Sequence, residues 1–241
     1  MPKAKYEDIY KDIKKKIEIG EYSYGTLLPS ENQFIKIYNC SRNTVRRALS
    51  ILISDGYVQS IHGKGVRIIY QNMNHRTAFT VGGIETFKET AKRNQLQSIT
   101  TVKEFSFVVV DEELAKESGF PVGTTLYKIV RIRYLDGKAL IHDRNYFLAS
   151  LLPNLTPKIA EESIYEYLED TLHIQIATSQ RRITVEHATV EDLQYLDLGN
   201  YDCLAVITSH TYDSHGFLFE YTQSRHHPEY FCFEDTAVRK S

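Results

Sequence analysis

Three arginines, Arg42, Arg46 and Arg47, crowd the stretch CSRNTVRRALSIL between Cys40 and Leu52. Their planar, permanently charged forks suit phosphate oxygens or the edge of guanine. A second pair, Arg131 and Arg133 in TLYKIVRIRYL, is two residues apart, so on a strand both side chains share one face. Set among Ile129, Val130 and Ile132, the pair suits an anionic ligand, phosphate above all, and equally suits salt bridges to local carboxylates. Ser163 stands where a helix should begin, offering a hydroxyl and free N–H groups to an anion, or simply capping the helix. Asp143 lies across a hairpin from Arg131, and Glu220 takes the corresponding place in a second hairpin. Two such carboxylates can grip sugar hydroxyls or pair with the arginines.

Other chemistries find little support. There is no GxSxG elbow, P-loop or HExxH. His226 and His227, with Glu229 nearby, are adjacent on a strand and so point to opposite faces, which argues against a metal site. Neither a metal nor a cofactor is expected, nor catalysis. The three cysteines, Cys40, Cys203 and Cys232, form no CxxC pair and read as reduced thiols. No run approaches the roughly 18 apolar residues of a membrane span, and MPKAKYEDIY has no signal-peptide core. A cytoplasmic protein without membrane contact is expected.

The elements that must carry these residues divide the chain in two. Residues 1–75 hold 12 Lys+Arg against 7 Asp+Glu, whereas the remainder holds 17 against 24. A basic segment on an acidic body suits a polyanion-binding module. Ile9, Ile13 and Ile17 mark a first helix, with Gly20 as its stop. Ser30 and Gln33 make a capping box for a second, with Phe34, Ile37 and Tyr38 as its inner face. Ser41 caps a third, in which Val45, Ala48, Leu49 and Leu52 form the buried stripe, with Asn43, Arg46, Arg47 and Ser50 opposite and Arg42 and Thr44 on the flanks. The run GYVQSIHGKGVRII then folds back at His62-Gly63-Lys64-Gly65 as a hairpin. Three helices and a hairpin form a winged helix-turn-helix, whose third helix enters the major groove.

Beyond a polar linker the pattern turns to strands. SFVVV precedes a helix at 111–118; TLYKIVRIRYL and KALIHDRNYF flank the Asp136-Gly137 turn; a helix at 163–171 and the strand RRITVEH follow. A helix at 190–196 and the strands LAVITSHTY and FLFEYTQSRH repeat the arrangement with a period of 78 to 79 residues, aligning Tyr134 with Tyr212. Two related halves around antiparallel sheet make an α+β domain. The expected division is 1–70, a linker at 71–78, and 79–241.

The motifs LPSE, SRNTVRRAL and GYVQSIHGKG resemble the GntR-type winged-helix domain of bacterial transcription regulators. That resemblance implies DNA contacts at Ser41, Arg42, Thr44, Arg46, His62, Gly63 and Lys64. Many members carry Arg after LPSE, where this chain has Asn32. TTLYKIVRIRYLDGKALIHDRNYF and FLFEYTQSRHHPEYFCF are similar to the UTRA effector domain of the HutC branch, whose fold resembles chorismate lyase. It implies an effector site at Thr86, Arg131, Arg133, Asp143, Ser163 and Glu220. GGIETFKE and YTQSRHHPEYFCF are similar to regulators of trehalose operons, whose effector is trehalose 6-phosphate. The expectation is therefore a homodimeric repressor on a palindromic operator, controlled by a sugar phosphate. A regulator of another sugar phosphate or of an unphosphorylated metabolite, or a chorismate lyase-like enzyme, are the alternatives.

Overall fold

A computed structural model describes residues 5–71, 84, 87–93 and 96–233, and the chain divides into two compact units. Most of the expected linker, from residue 72 to 78, lies outside the described residues, as does Thr86.

In the first unit, α1 (Lys5–Glu18) buries Ile9, Ile13 and Ile17 along one stripe. Ser30 starts α2 (Glu31–Tyr38) with the full capping box: its hydroxyl accepts from the Gln33 amide, and Gln33 Oε1 accepts from the Ser30 amide at 2.7 Å. Asn39, with φ of 45°, ends α2 in the left-handed region that asparagine tolerates. Two residues later Ser41 caps α3 (Arg42–Ser54), accepting from the Thr44 amide at 3.2 Å. Caps of this kind are worth about 1 kcal/mol each. The tight spacing of the two caps fixes the α2–α3 turn. Phe34, Val45, Ala48 and Leu52 close the core against the α1 isoleucines. One inner-face assignment fails: Ile37 is 56% exposed, and Ile35 packs instead. On the short α2, the arc beside Phe34 that meets the core runs through residues 35 and 38, leaving 37 outside.

The wing is β1 (Val58–Ile61) paired with β2 (Gly65–Ile68). Gly63 and Gly65 take φ of 70° and 111°, which the reversal requires and side chains resist. Leu27 and Leu28 run along β2 as a third, minimal strand, the Leu28 amide donating to Val66 O at 2.8 Å.

The second unit opens with α4 (Phe87–Arg93), followed by β3 (Ser98–Val109), α5 (Glu112–Ser118), β4 (Thr125–Leu135) and β5 (Lys138–Leu148). After α6 (Pro157–Glu162) and α7 (Ile164–Glu166) come β6 (Ile176–His187), α8 (Val190–Tyr195), β7 (Cys203–Asp213) and β8 (Leu218–His226). The six strands form one antiparallel sheet ordered β3-β4-β5-β8-β7-β6. The internal repeat is real: β6, α8 and β7 each begin 78 residues after β3, α5 and β4. Both hairpins even carry a register shift at the same place, Arg133/Tyr134 and Thr211/Tyr212. Asp136 and Gly137 both have positive φ, as the two-residue hairpin turn demands.

Strand alternation sorts the helices. Ile129 and Phe147 pack with Ala160, Ile164 and Leu168, so α6 and α7 cover the face that also presents Arg131 and Arg133. Ala91 brings α4 to that same face through Leu135 and Ile141. On the other face Ile132 and Val206 pack under Tyr195 and Leu196, seating α8, and Leu126 meets Leu114 and Ala115 of α5. Three differences from the sequence reading stand out. β3 begins well before SFVVV, α4 and α6 had not been expected, and the helix begun at Ser163 passes after three residues into a π-helical turn, Tyr167–Thr171. No helix among the described residues is long and apolar enough to cross a membrane.

Candidate functional site

On α3 the buried stripe turns Arg42, Asn43, Arg46, Arg47 and Ser50 outward, with Thr44 half-buried. These arginines are already engaged. Arg46 Nε donates to both oxygens of Glu31, at 3.0 and 3.1 Å. Arg42 Nη2 donates to Asn32 Oδ1 at 2.9 Å, and its Nε lies 3.8 Å from Glu31. Asn32, the departure from the family motif, thus takes up the first arginine of α3. Arg47 is drawn aside, its guanidinium 3.9 Å above the Tyr6 ring of α1. Exposed pairs of this sort contribute about 1 kcal/mol or less, so a stronger anion displaces them readily. Ser41 spends its hydroxyl oxygen on the α3 cap and sits 2.8 Å from Thr44 Oγ1. His62, Gly63 and Lys64 are exposed at the tip of the wing.

In the second unit a cavity of about 350 Å³ lies between the sheet and the segments α4 and α6–α7. Arg131, Arg133, Ser163 and Glu220 all line it. Asp143 does not: it lies in the floor, 1% exposed, where its carboxylate takes Arg133 Nε and accepts from Ser224 Oγ at 2.5 Å. Arg131 is 5% exposed; its Nε donates to Asn145 Oδ1 at 2.9 Å, its Nη1 to Ala160 O at 3.3 Å, and its Nη2 lies 3.9 Å from Asp143. Burial works against the Asp143 charge, yet Arg133 and Arg131 outweigh it and hold the carboxyl down at about 2. Burial, with Arg133 alongside, lowers Arg131 to about 10, which leaves it cationic at neutral pH.

Glu220 is the other carboxylate, 4% exposed. It accepts from Tyr165 OH at 2.5 Å and from Thr222 Oγ1 at 2.8 Å. Burial and the neighbouring Glu220 raise the Tyr165 phenol well above its usual range, so it stays a hydrogen-bond donor. The two carboxylates are not equivalents in the repeat. Asp143 faces Arg131, and the matching pair in the second hairpin is Thr222 opposite Ser209; Glu220 corresponds to Ile141. The extra residue in the second hairpin's turn shifts that alignment by one step, and Glu220 reaches the same face two residues along. Ser163 caps α7, accepting from the Glu166 amide at 3.2 Å, while its proton remains available to the cavity.

Sequence reasoning missed Tyr165, Asn145, Thr222, Ser179, Arg181 and Ser209, which also line the cavity. Their positions, 143/145, 179/181 and 220/222/224, share a face by alternation, but polar neighbours such as Arg144, Gln180, Arg182 and Gln223 hide that pattern in the sequence. Arg133 also lies over the Phe87 ring, 4.8 Å from its centre. His226 ends β8 buried, while His227 begins the following turn, where its Nδ1 accepts from the Glu229 amide at 3.2 Å. No group of three metal-ligating side chains occurs among the described residues.

The chain has known relatives over both units. Residues 5–68 match the family described as bacterial regulatory proteins, gntR family, and residues 93–231 match the UTRA domain. The HTH-type transcriptional regulator TreR of Bacillus subtilis is 37% identical over 98% of both chains. The solved effector-binding domain of the B. subtilis trehalose repressor is 36% identical, with a TM-score of 0.54, covering 59% of this chain and 99% of that one. The crystal structure of YydK from B. subtilis shares the fold along nearly the whole length, with a TM-score of 0.79 at 21% identity, covering 98% of this chain and 100% of that one.

Proposed function

We infer that this chain, which belongs to the gntR family of bacterial regulatory proteins and carries a UTRA domain, is a repressor whose hold on operator DNA is broken by trehalose 6-phosphate. Transcriptional regulation through DNA and a small effector follows from the family; the effector, the direction of control and the residue roles are our reading. Arg42, Thr44 and Arg46, with Ser41 at the head of α3, enter the major groove, and His62, Gly63 and Lys64 of the wing follow the neighbouring backbone or minor groove. One winged helix covers a half-site, so a homodimer on a palindrome supplies the rest.

The observation that carries the effector reading is the cavity floor. Two guanidinium groups share a single carboxylate, Asp143, which leaves cationic donors for an anion. Ser163 adds a hydroxyl at the same cavity. Around them Glu220, Thr222, Asn145 and Ser209 present the mixed acceptors and donors that sugar hydroxyls need. The similarity to TreR supports trehalose as the sugar. Asp143 acts here beneath the ligand, fixing the arginines, rather than by touching the sugar. The effector shifts the equilibrium only if it binds the DNA-released arrangement more tightly than the DNA-bound one.

A thermal-shift series tests this reading. Trehalose 6-phosphate should raise the melting temperature of the purified protein, whereas equal trehalose or glucose should not. An equal shift from unphosphorylated trehalose would refute a phosphate-reading site.

A further inference from the structure

One chain of hydrogen bonds across the cavity floor runs in a single direction. Arg131 has donors and no acceptor, and its Nε donates to Asn145 Oδ1 at 2.9 Å. That contact fixes the amide, so Asn145 Nδ2 faces the other way and donates to Thr222 Oγ1 at 2.8 Å. With its oxygen accepting there, Thr222 gives its one proton to Glu220 Oε1, also at 2.8 Å. Tyr165 donates to the second oxygen, Oε2, at 2.5 Å. A donor-only guanidinium therefore closes one end of the chain and a carboxylate receiving two hydroxyl protons closes the other. All five residues line the cavity. Asn145 and Thr222 are 1% and 7% exposed, so little water competes for these bonds.

We propose that Thr222 is a positioning residue of the effector site: it holds Glu220 as the acceptor for the effector's sugar hydroxyls, at the end of the cavity opposite the phosphate. This rests on the sugar-phosphate reading above and deepens it. The polarity of the chain fixes how the ligand lies. Its anion goes to Arg131 and Arg133, two guanidinium groups that share the one carboxylate of Asp143. Its hydroxyls go to Glu220, whose remaining lone pairs need donors once the site is closed to water. A phosphate at the Glu220 end would bring no proton and would add like charge, so the site selects ligands with one charged end and one hydroxylated end. Thr222 does this without lying at the anion end itself. Its hydroxyl passes the polarity from Asn145 to Glu220.

Two substitutions separate this role from simple support of the floor. Thr222→Val keeps the shape and removes the hydroxyl; Thr222→Ser keeps the hydroxyl. Calorimetry on the full-length protein would use trehalose 6-phosphate directly, and inorganic phosphate in competition with it. Thr222→Val should weaken trehalose 6-phosphate about tenfold, the worth of one net hydrogen bond in a buried site. It should leave the competing inorganic phosphate within about twofold, and Thr222→Ser should bind both as the parent does. Unchanged trehalose 6-phosphate binding by Thr222→Val would overturn the proposal. So would an equal loss for both probes, since Thr222 would then merely support the arginines. Failure of inorganic phosphate to compete on any of the proteins would overturn it too, because the arginine end would not hold phosphate by itself. If the parent protein binds no trehalose 6-phosphate at all, the effector reading falls and this inference with it.

Discussion

The two arginine clusters of this chain use the same side chain under opposite physical conditions. Arg42 and Arg46 on α3 are exposed, and their partners Glu31 and Asn32 are surface groups that compete with water. Arg131 in the cavity floor is buried, and its Nε and Nη1 have committed acceptors in Asn145 and Ala160. An exposed guanidinium costs little to expose again, so α3 can exchange Glu31 for DNA phosphate without disturbing its core. A buried one was stripped of water when the chain folded and must stay partnered. On the function proposed above, the first cluster suits exchange with a long polyanion, and the second a fixed frame around a small one.

That contrast can be broken by removing one arginine from each side. Arg131→Ala takes the buried donor from Asn145 Oδ1 and the Ala160 carbonyl, and one of two guanidinium neighbours from Asp143, and should destabilise the second unit by about 3 kcal/mol or more, read in urea unfolding. A loss under about 1 kcal/mol would mean that the floor relaxes and the burial argument is wrong. Arg46→Ala, by contrast, should leave unfolding within about 0.5 kcal/mol. It should instead weaken operator binding by about 1–3 kcal/mol, measured at fixed salt. Comparable destabilisation by both variants would erase the distinction.

Acid sharpens the comparison further. The Asp143 carboxyl is held at about 2, below its ordinary 3.8, because Arg133 and Arg131 outweigh the burial that would raise it. A depressed pKa stabilises the fold above the unfolded value and loses that contribution as pH falls through the folded one. The second unit should thus lose about 2 kcal/mol between roughly pH 4 and pH 2 through this group alone. Asp143→Asn should lose correspondingly less over the same range. The measurement is the urea midpoint against pH for both proteins; parallel curves would contradict the assignment.

Most of the first unit was legible in the sequence because its signals are local. Ser30, Ser41, Asn39 and Gly63 each set a backbone geometry within a few residues, and the helical stripe of α3 needs only its own periodicity. The second unit hid more. β3 is an edge strand whose described residues are none of them fully buried, so its apolar signal fades towards Ser98. The start of α6 was written in Thr156 and Pro157, a cap followed by proline at the first helical position, but lay outside any long apolar stripe. Arg131 and Arg133 were found by their spacing, whereas Arg181, Asn145, Thr222 and Tyr165 were missed. The roles of the last three come from pairing across strands 77 residues apart and from a helix laid over the sheet. No single stretch contains that information.

The central claim is that a phosphorylated disaccharide in the cavity loosens the grip of α3 and the wing on DNA. Fluorescence anisotropy would follow labelled operator DNA, selected by the protein itself from a random library, as trehalose 6-phosphate or trehalose is added. The account predicts that trehalose 6-phosphate weakens operator binding at least about tenfold, and that trehalose at the same concentration leaves it unchanged. Release by both sugars alike, or by neither, would contradict it.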